Sequence, residues 1–305
     1  MKPGEEEKEW IPKFTELGSD VSASLYYAFS QYQAGNFDRA LEEINRVLRM
    51  DPRNSDAYLL QGKIFMERGK WEEARKSIER ALEIDPREVK GYFLKSRILY
   101  EEGDYQGAIK CVEKAIDIDR DFIPAYLYLG NYLLVQREYK RAERVYREGI
   151  KRNPHFPIFY RQLAQVLLLQ GREEESVEML KASLRLNPAE PEAHLKLGEI
   201  LISQGKIEEA LEEYRKASRL DPASHQAHLG AGECLRRLER YSEAVREFRK
   251  SLALKGNNPL AHLGIGKVMR ECGEKDMAIQ ALKCALELDP GLEEARKILE
   301  ELNKE

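Results

Sequence analysis

Residues 55–88 have the sequence SDAYLLQGKIFMERGKWEEARKSIERALEIDPRE. Proline disfavours helical backbone at the residue before it, so the Asp85-Pro86 pair marks the end of a helix. Glycine just past a helix end takes the left-handed conformation cheaply, so Gly69 predicts a turn in the middle of the stretch. The stretch therefore predicts a hairpin made of a first helix (helix A), a short turn and a second helix (helix B).

This hairpin pattern recurs along the chain with a period of 34 residues. The marker is an Asp-Pro or Asn-Pro dipeptide, whose prolines are 34 or 68 positions apart: Pro52, Pro86, Pro154, Pro188, Pro222 and Pro290. Two registers lack this proline and carry Asp119-Arg120 and Lys255-Gly256. No insertion or deletion disturbs the period between Pro52 and Pro290, so the chain is predicted to be an array in which each unit packs on its neighbours.

Two columns of small residues run in the same register. The column on helix A holds Ala28, Gly62, Ser96, Gly130, Ala164, Gly198, Gly232 and Gly266. The column on helix B holds Ala40, Ala74, Ala108, Ala142, Ser176, Ala210, Ala244 and Ala278. Two helices approach to roughly 8 Å only where the side chains in contact are small, so these columns predict where the two helices of each hairpin meet.

The predicted turn carries glycine in six repeats, at Gly35, Gly69, Gly103, Gly171, Gly205 and Gly273. Arg137 and Glu239 replace it in the other two, so those turns are expected either to be strained or to close differently. Near the C-terminal end, Gly230 and Gly264 add a second glycine to helix A. Each such glycine weakens a helix by about 1 kcal/mol relative to alanine. The extra glycines therefore predict either the close approach of a ligand backbone or looser C-terminal repeats.

Composition favours a protein that binds neither nucleic acid nor the interior of a membrane. The net charge is −4 and charged residues of both signs, 34% of the chain, are interspersed. A nucleic-acid platform usually has a basic footprint instead. The longest apolar stretch, 125–135, is too short and too polar to span a bilayer. The first twenty residues are acidic and show no signal peptide, so the expected location is the cytoplasm.

The period divides the chain into three parts. Residues 1–20 form a leader outside the period, in which Trp10, Ile11 and Phe14 are expected either to cap the array or to act as a short motif that docks in a groove. Residues 293–305 begin a further helix A and are predicted to form a capping helix. Between them, eight repeats are expected at 21–54, 55–88, 89–122, 123–156, 157–190, 191–224, 225–258 and 259–292.

The repeats resemble those of the tetratricopeptide repeat family, in which aromatic, Leu-Gly, Ala and Pro positions recur within 34 residues. Repeat 2 carries the pattern at Tyr58, Gly62, Phe65, Trp71, Ala74, Ile78, Ala81 and Pro86. Repeat 4 carries it at Tyr126, Leu129, Gly130, Leu133, Tyr139, Ala142, Tyr146 and Pro154. The resemblance covers residues 21–292. It implies an all-α fold, a right-handed superhelical solenoid of tandem helix-turn-helix repeats, with helix A of every repeat lining a concave groove that binds protein.

In this family the ligand contacts lie at variable positions of helix A. The resemblance therefore implies a groove formed by Phe29, Tyr32, Lys63, Arg97, Tyr100, Tyr128, Asn131, Arg161, Gln165, Lys196, Arg236, Arg237, Lys267 and Arg270. The groove is aromatic and apolar toward the N-terminus. It turns basic toward the C-terminus, where Glu233 and Glu271 partly offset the arginines. Because arginine binds carboxylates bidentately, the expected ligand is an extended segment with an apolar stretch and an acidic end. The alternative is that Tyr26, Tyr32 and Tyr100 fill seams between neighbouring A helices and that the arginines are solvated.

No cofactor and no metal site are expected. His194, His228 and His262 form a column at the position that holds an aromatic in earlier repeats, such as Tyr58 and Tyr126. Neighbouring helices are roughly 8–10 Å apart, so three such rings are not expected to converge on one ion. A role in packing at the seam is predicted instead. The four cysteines include no C-x-x-C pair and are expected to be reduced thiols.

The sequence predicts a non-catalytic scaffold or adaptor that binds an extended peptide or protein segment. No catalytic constellation is present in it, and a concave helical array lacks the deep pocket that catalysis favours. Two alternatives stand beside this prediction. One is a non-catalytic subunit of an enzyme complex or of a secretion or modification machine. The other is a sensor of a small ligand or short peptide.

Overall fold

The computed structural model describes residues 20–304. Every regular element in that range is a helix, and seventeen helices occur there. The predicted all-α class and the tandem arrangement of helical hairpins are confirmed. The helices are α1 (Asp20–Gln33), α2 (Phe37–Met50), α3 (Ser55–Glu67), α4 (Trp71–Ile84), α5 (Val89–Glu101), α6 (Tyr105–Ile118), α7 (Ile123–Val135), α8 (Tyr139–Arg152), α9 (Pro157–Leu169), α10 (Glu173–Leu186), α11 (Pro191–Ser203), α12 (Ile207–Leu220), α13 (His225–Arg237), α14 (Tyr241–Leu254), α15 (Pro259–Glu271), α16 (Lys275–Leu288) and α17 (Glu293–Lys304).

The chain divides into two compact units between Pro154 and His155. The first unit contains helices α1 to α8, and the second contains α9 to α17. Odd-numbered helices from α1 to α15 are the A helices and even-numbered ones are the B helices. The leader residues Trp10, Ile11 and Phe14 lie outside the described residues.

The Asp-Pro and Asn-Pro dipeptides end helix B through a side-chain turn as well as through proline. The Asp51 and Asp85 carboxylates each accept a hydrogen bond from the backbone N–H two residues later, at 3.1 and 2.9 Å. Asp119 makes the same bond to the N–H of Asp121, at 2.8 Å, although Arg120 stands where other repeats have proline. Asp and Asn favour this kind of turn because their short side chains reach their own backbone. In the repeat where Arg120 replaces this proline, Asp119 therefore preserves the turn.

The turn between helix A and helix B closes in the same way in all eight repeats. The six glycines have φ values from +69° to +84°, and Arg137 and Glu239 have φ values of +59° and +58°. The backbone N–H of Arg137 donates to the Leu134 carbonyl at 3.0 Å, just as the N–H of Gly103 donates to the Tyr100 carbonyl. Of the two expectations for these turns, the structure therefore favours strain, because a side chain in the left-handed region costs about 1–2 kcal/mol.

The extra glycines of the C-terminal repeats make room for aromatic rings. A Cβ atom at Gly230 would lie 2.4 Å from the Tyr214 ring, and one at Gly264 would lie 2.5 Å from the Phe248 ring. Each ring also contacts a glycine of its own hairpin, Gly198 for Tyr214 and Gly232 for Phe248. These glycines thus allow ring packing between consecutive repeats. The sequence had predicted a different reason, either the close approach of a ligand backbone or looser C-terminal repeats.

Candidate functional site

The candidate site lies on the A helices, and each unit carries its own part of it. We call Phe29, Tyr32, Lys63, Arg97, Tyr100, Tyr128 and Asn131 the first A face. We call Arg161, Gln165, Lys196, Arg236, Arg237, Lys267 and Arg270 the second A face. Together these are the residues that the sequence predicted for the groove.

At its N-terminal end the first A face is largely internal packing. Phe29 and Tyr32 are buried, and their ring centroids are 6.3 Å apart. The ammonium group of Lys63 lies 4.9 Å from the centroid of the Tyr32 ring, a cation–π contact. For Tyr32 the structure therefore agrees with the alternative expectation of a tyrosine in a seam between A helices, whereas Tyr26, expected there too, is 61% exposed.

A cluster of three tyrosines fills the seam between α5 and α7. The Tyr100 and Tyr132 rings stack at 4.7 Å, and Tyr132 meets the edge of Tyr128 at 6.0 Å. The Arg97 guanidinium lies 5.9 Å from the Tyr128 ring. A cleft of about 250 Å³ remains beside them, lined by Arg97, Tyr100, Glu101, Tyr128, Asn131 and Tyr132.

Two features of this cluster lie beyond the sequence-based prediction. Tyr132 was not predicted as a site residue, although it is buried at the centre of the cluster. Burial raises the pKa of the Tyr132 and Tyr100 phenols above their ordinary value, so both stay neutral. The side chain of Asn131 is held in place because its oxygen accepts a hydrogen bond from the Tyr146 hydroxyl at 2.7 Å.

The cations of the second A face are all paired with glutamates of the same unit. Arg236 and Arg237 share Glu233, each at 2.8 Å. The remaining pairs are Arg161 with Glu190 and Glu192, Lys196 with Glu199, Arg236 with Glu271, Lys267 with Glu294, and Arg270 with Glu301. A carboxylate of a ligand would have to compete with these glutamates.

In the Glu233 cluster the ion pairs shift the pKa values of both partners. Hydrogen bonds with Glu233 raise the pKa of Arg236 although burial opposes the rise. Burial raises the pKa of Glu233, but the hydrogen bonds from Arg236 and Arg237 outweigh it and hold that pKa below its ordinary value. Both partners are therefore charged at neutral pH. The sequence spacing already indicates these two ion pairs, because Glu233 precedes Arg236 and Arg237 by three and four positions on one helix.

A deeper pocket opens on the second A face between α9 and α11. Its volume is about 410 Å³. Leu168, Leu195 and Ile200 line it from the two A helices, and Leu180 lines it from α10. Gln165 lies at its exposed rim. Polar and charged residues make up most of the rest of the lining, among them Arg161, Glu192, Lys196 and Glu199, so the pocket offers both apolar surface and polar groups to a ligand side chain.

The histidine column lies in the seams between helices. The Nδ1 atom of His194 lies 2.6 Å from a carboxylate oxygen of Glu213, and Nε2 lies 3.1 Å from the Pro188 carbonyl oxygen. In an earlier repeat the Tyr126 hydroxyl donates to the equivalent carbonyl, that of Arg120, at 2.9 Å. The histidine thus takes over the bond that tyrosine makes to the turn before helix A. Across residues 20–304, no group of three His, Cys, Asp or Glu side chains could hold a metal ion.

None of the helices in the described range is both long and apolar enough to cross a membrane.

Five overlapping segments match the sequence profile described as tetratricopeptide repeat: 29–89, 59–121, 127–191, 174–225 and 195–259. They cover well over half of the chain. No curated protein is significantly similar to it.

Solved structures share the fold at low sequence identity. A chain of the APC/C hetero-tetramer Cut9–Hcn1 is 19% identical with a TM-score of 0.61, and the match covers 97% of this chain and 58% of that one. YrrB, a TPR protein with an unusual peptide-binding site, is 21% identical with a TM-score of 0.51, over 61% of this chain and 96% of its own. Yeast Tom70 is 19% identical with a TM-score of 0.53, over 94% of this chain and 65% of its own. The chain belongs to the tetratricopeptide repeat family.

Proposed function

We propose that this protein is a non-catalytic scaffold that binds an extended peptide or protein segment on its A helices. Tetratricopeptide repeats are in general protein-interaction scaffolds. The observation that carries the proposal for this chain is the pocket between α9 and α11, with its leucine and isoleucine lining and its glutamine rim. YrrB, which shares the fold and has a peptide-binding site, supports the same class of ligand.

The contacts favour the apolar part of the expected ligand over its acidic end. An apolar side chain would gain about 25 cal/mol for each Å² of apolar surface that it buries in the pocket. An acidic group at Arg236 or Arg270 would instead have to displace Glu271 or Glu301. We therefore propose a segment whose affinity comes mainly from apolar contacts, with any acidic residues adding less.

The proposal is tested by selecting random twelve-residue peptides on phage against the intact chain. Enriched peptides are resynthesised with one photoreactive benzoylphenylalanine and cross-linked, and the attachment sites are mapped by mass spectrometry. We expect attachment to A helices. Attachment confined to outward positions of B helices, or no enrichment over a blank surface, would show that the proposal is wrong.

A matched pair of variants gives the control. Gln165 and Gln280 are both exposed glutamines, the first on helix α9 at the pocket and the second on the B helix α16. Gln165→Trp is expected to weaken the binding of the selected peptides about tenfold, the usual size of a central contact. Gln280→Trp is expected to leave it unchanged.

A further inference from the structure

Two seams between neighbouring A helices, the one between α5 and α7 and the one between α9 and α11, differ in the side chains at three matching positions. Between α5 and α7, three positions hold Tyr100, Tyr128 and Tyr132, whose rings contact one another. Two repeats later, 68 positions along, the same three positions between α9 and α11 are held by Leu168, Lys196 and Ile200. All three of these residues line the 410 Å³ pocket. The pocket is thus lined by the three residues that are in register with the tyrosines.

On the α10 side this pocket is lined by buried side chains. Leu180 and Ser176 reach it from α10 and are both buried. The hydroxyl of Ser176 donates to the Ala164 carbonyl at 2.7 Å, so it already has a hydrogen-bond acceptor. An apolar group that enters the pocket would not separate this hydroxyl from its partner, and no desolvation cost would arise from it.

The charges around the mouth of the pocket balance one another. Arg161 pairs with Glu190 at 2.7 Å and also with Glu192, and Lys196 pairs with Glu199 at 2.8 Å. Of the charged residues that line the pocket itself, two are cations, Arg161 and Lys196, and two are carboxylates, Glu192 and Glu199, so the lining carries no net charge. Exposed Gln165 and Gln226 add carboxamide groups at the mouth, and each carboxamide both donates and accepts hydrogen bonds, as a peptide backbone does.

We infer that the pocket between α9 and α11 binds an aromatic side chain from an uncharged, extended segment of a partner protein. The side chain takes the place that the tyrosine cluster occupies between α5 and α7, and the glutamine amides hold the partner's backbone. This inference rests on the proposed function and adds to it the residue type that the pocket recognises. Phenylalanine and tyrosine suit the site because a ring packs on leucine and isoleucine without a charge to desolvate.

The first test uses a small probe and the intact chain. N-acetyl-phenylalanine amide is titrated into protein with labelled leucine and isoleucine methyl groups, followed by NMR, with N-acetyl-alanine amide as the comparison. We expect dose-dependent shifts at the methyl groups of Leu168, Leu195 and Ile200 with the phenylalanine compound alone. Equal shifts with both compounds, or no shifts at these residues, would overturn the inference.

The second test closes the pocket. The double variant Lys196→Tyr/Ile200→Tyr restores two rings of the tyrosine cluster and is expected to weaken probe binding about tenfold or more. Leu168→Tyr, a half-buried position in register with Tyr100, is expected to act in the same direction and serves if the double variant does not fold. Gln280→Tyr on α16 is the control and is expected to bind the probe like the parent chain.

The two proposals fail in different ways. Selected peptides could cross-link to A helices without any aromatic preference, while the phenylalanine probe shifts none of the three methyl signals. In that case the inference that the pocket binds an aromatic side chain is wrong, and the scaffold function stands. If the probe shifts those methyl groups but no peptide is enriched, the pocket's preference is correct and the peptide-binding function is wrong.

Discussion

His194 and Glu213 form a buried pair in which the imidazole Nδ1 lies 2.6 Å from the carboxylate. The pair recurs one repeat later as His228 and Glu247, at 2.7 Å and with the same separation of nineteen residues. The earlier repeats have tyrosine at the histidine position, at Tyr58, Tyr92, Tyr126 and Tyr160, and no glutamate nineteen residues later. Histidine and glutamate therefore occur together at this seam in two successive repeats, whereas His262 has Ala281 at the glutamate position.

We predict that Glu213→Gln destabilises the second unit at pH 7 by about 1.5 kcal/mol, the contribution of hydrogen bonds to a charged group. Burial raises the pKa of Glu213, but hydrogen bonds from His194 and Lys216 outweigh it, so the folded pKa lies below the ordinary value. A carboxylate with a lowered folded pKa stabilises above its unfolded pKa, and that stabilisation is lost as pH falls through the folded pKa. In urea unfolding, the difference in unfolding free energy between parent and variant should be smaller at pH 3 than at pH 7.

The neighbouring exposed residue provides the control for this experiment. Glu212 pairs only with Arg215, at 3.2 Å, among the ion pairs of the described residues. Glu212→Gln is expected to change stability by less than about 0.5 kcal/mol at either pH. A gap for Glu213→Gln that stays constant from pH 7 to pH 3 would contradict the ion-pair explanation.

Arg137→Gly and Glu239→Gly are each expected to stabilise the protein by about 1 kcal/mol, because glycine relieves the left-handed backbone at these turns. The measurement is thermal unfolding of the two single variants. Gly103→Arg, the reverse change at a turn with φ of +84°, should destabilise by a similar amount. Lower stability for both glycine variants would mean that these side chains make contacts worth more than the strain.

Gly264→Ala is expected to destabilise the protein by about 1–3 kcal/mol through overpacking. This is opposite to the change of about 1 kcal/mol that helix propensity alone would give. The reason is that the new Cβ would lie 2.5 Å from the Phe248 ring. Denaturant unfolding measures the effect, and Phe248→Leu in the alanine background should recover part of the loss. If alanine stabilises the parent chain, the ring is not held against this glycine.

Glu233→Gln is expected to raise the affinity of the second A face for acidic peptides severalfold, because Arg236 and Arg237 lose the carboxylate that they share. The probe is fluorescein-labelled hexaglutamate, followed by fluorescence anisotropy at low salt. Glu208→Gln, at an exposed position of the B helix α12, is the control. Equal affinity for parent and Glu233→Gln would mean that the two arginines do not bind carboxylates of a ligand.

The fold was predictable from the sequence because it depends on local rules repeated at a fixed interval. A glycine such as Gly69 predicts its turn by its backbone preference alone, and Asp85-Pro86 predicts the end of a helix. The same rules were less informative at Arg137, where the structure keeps the turn that glycine would favour. Context supplied by neighbouring repeats overrides the preference of one residue there.

The candidate site was predictable only as a set of positions on helix A. Whether a basic residue is available to a ligand depends on partners that are distant in sequence, such as Glu294 for Lys267 and Glu301 for Arg270. The pocket between α9 and α11 is lined by side chains from α9, α10, α11 and α13, which lie close together only in the folded repeats. Charge and aromatic content along helix A carry no such information.

The rings of Tyr214 and Phe248, each pressed between glycines of two successive A helices, bear on how the second unit unfolds. In a linear array, cooperativity is set by the ratio of nearest-neighbour coupling to the intrinsic stability of a single repeat. Two glycines in one helix lower the intrinsic stability of that repeat. The ring that two repeats share instead stabilises the packing between those repeats. We therefore expect the segment from α11 to α15 to unfold as one cooperative block despite its modular sequence.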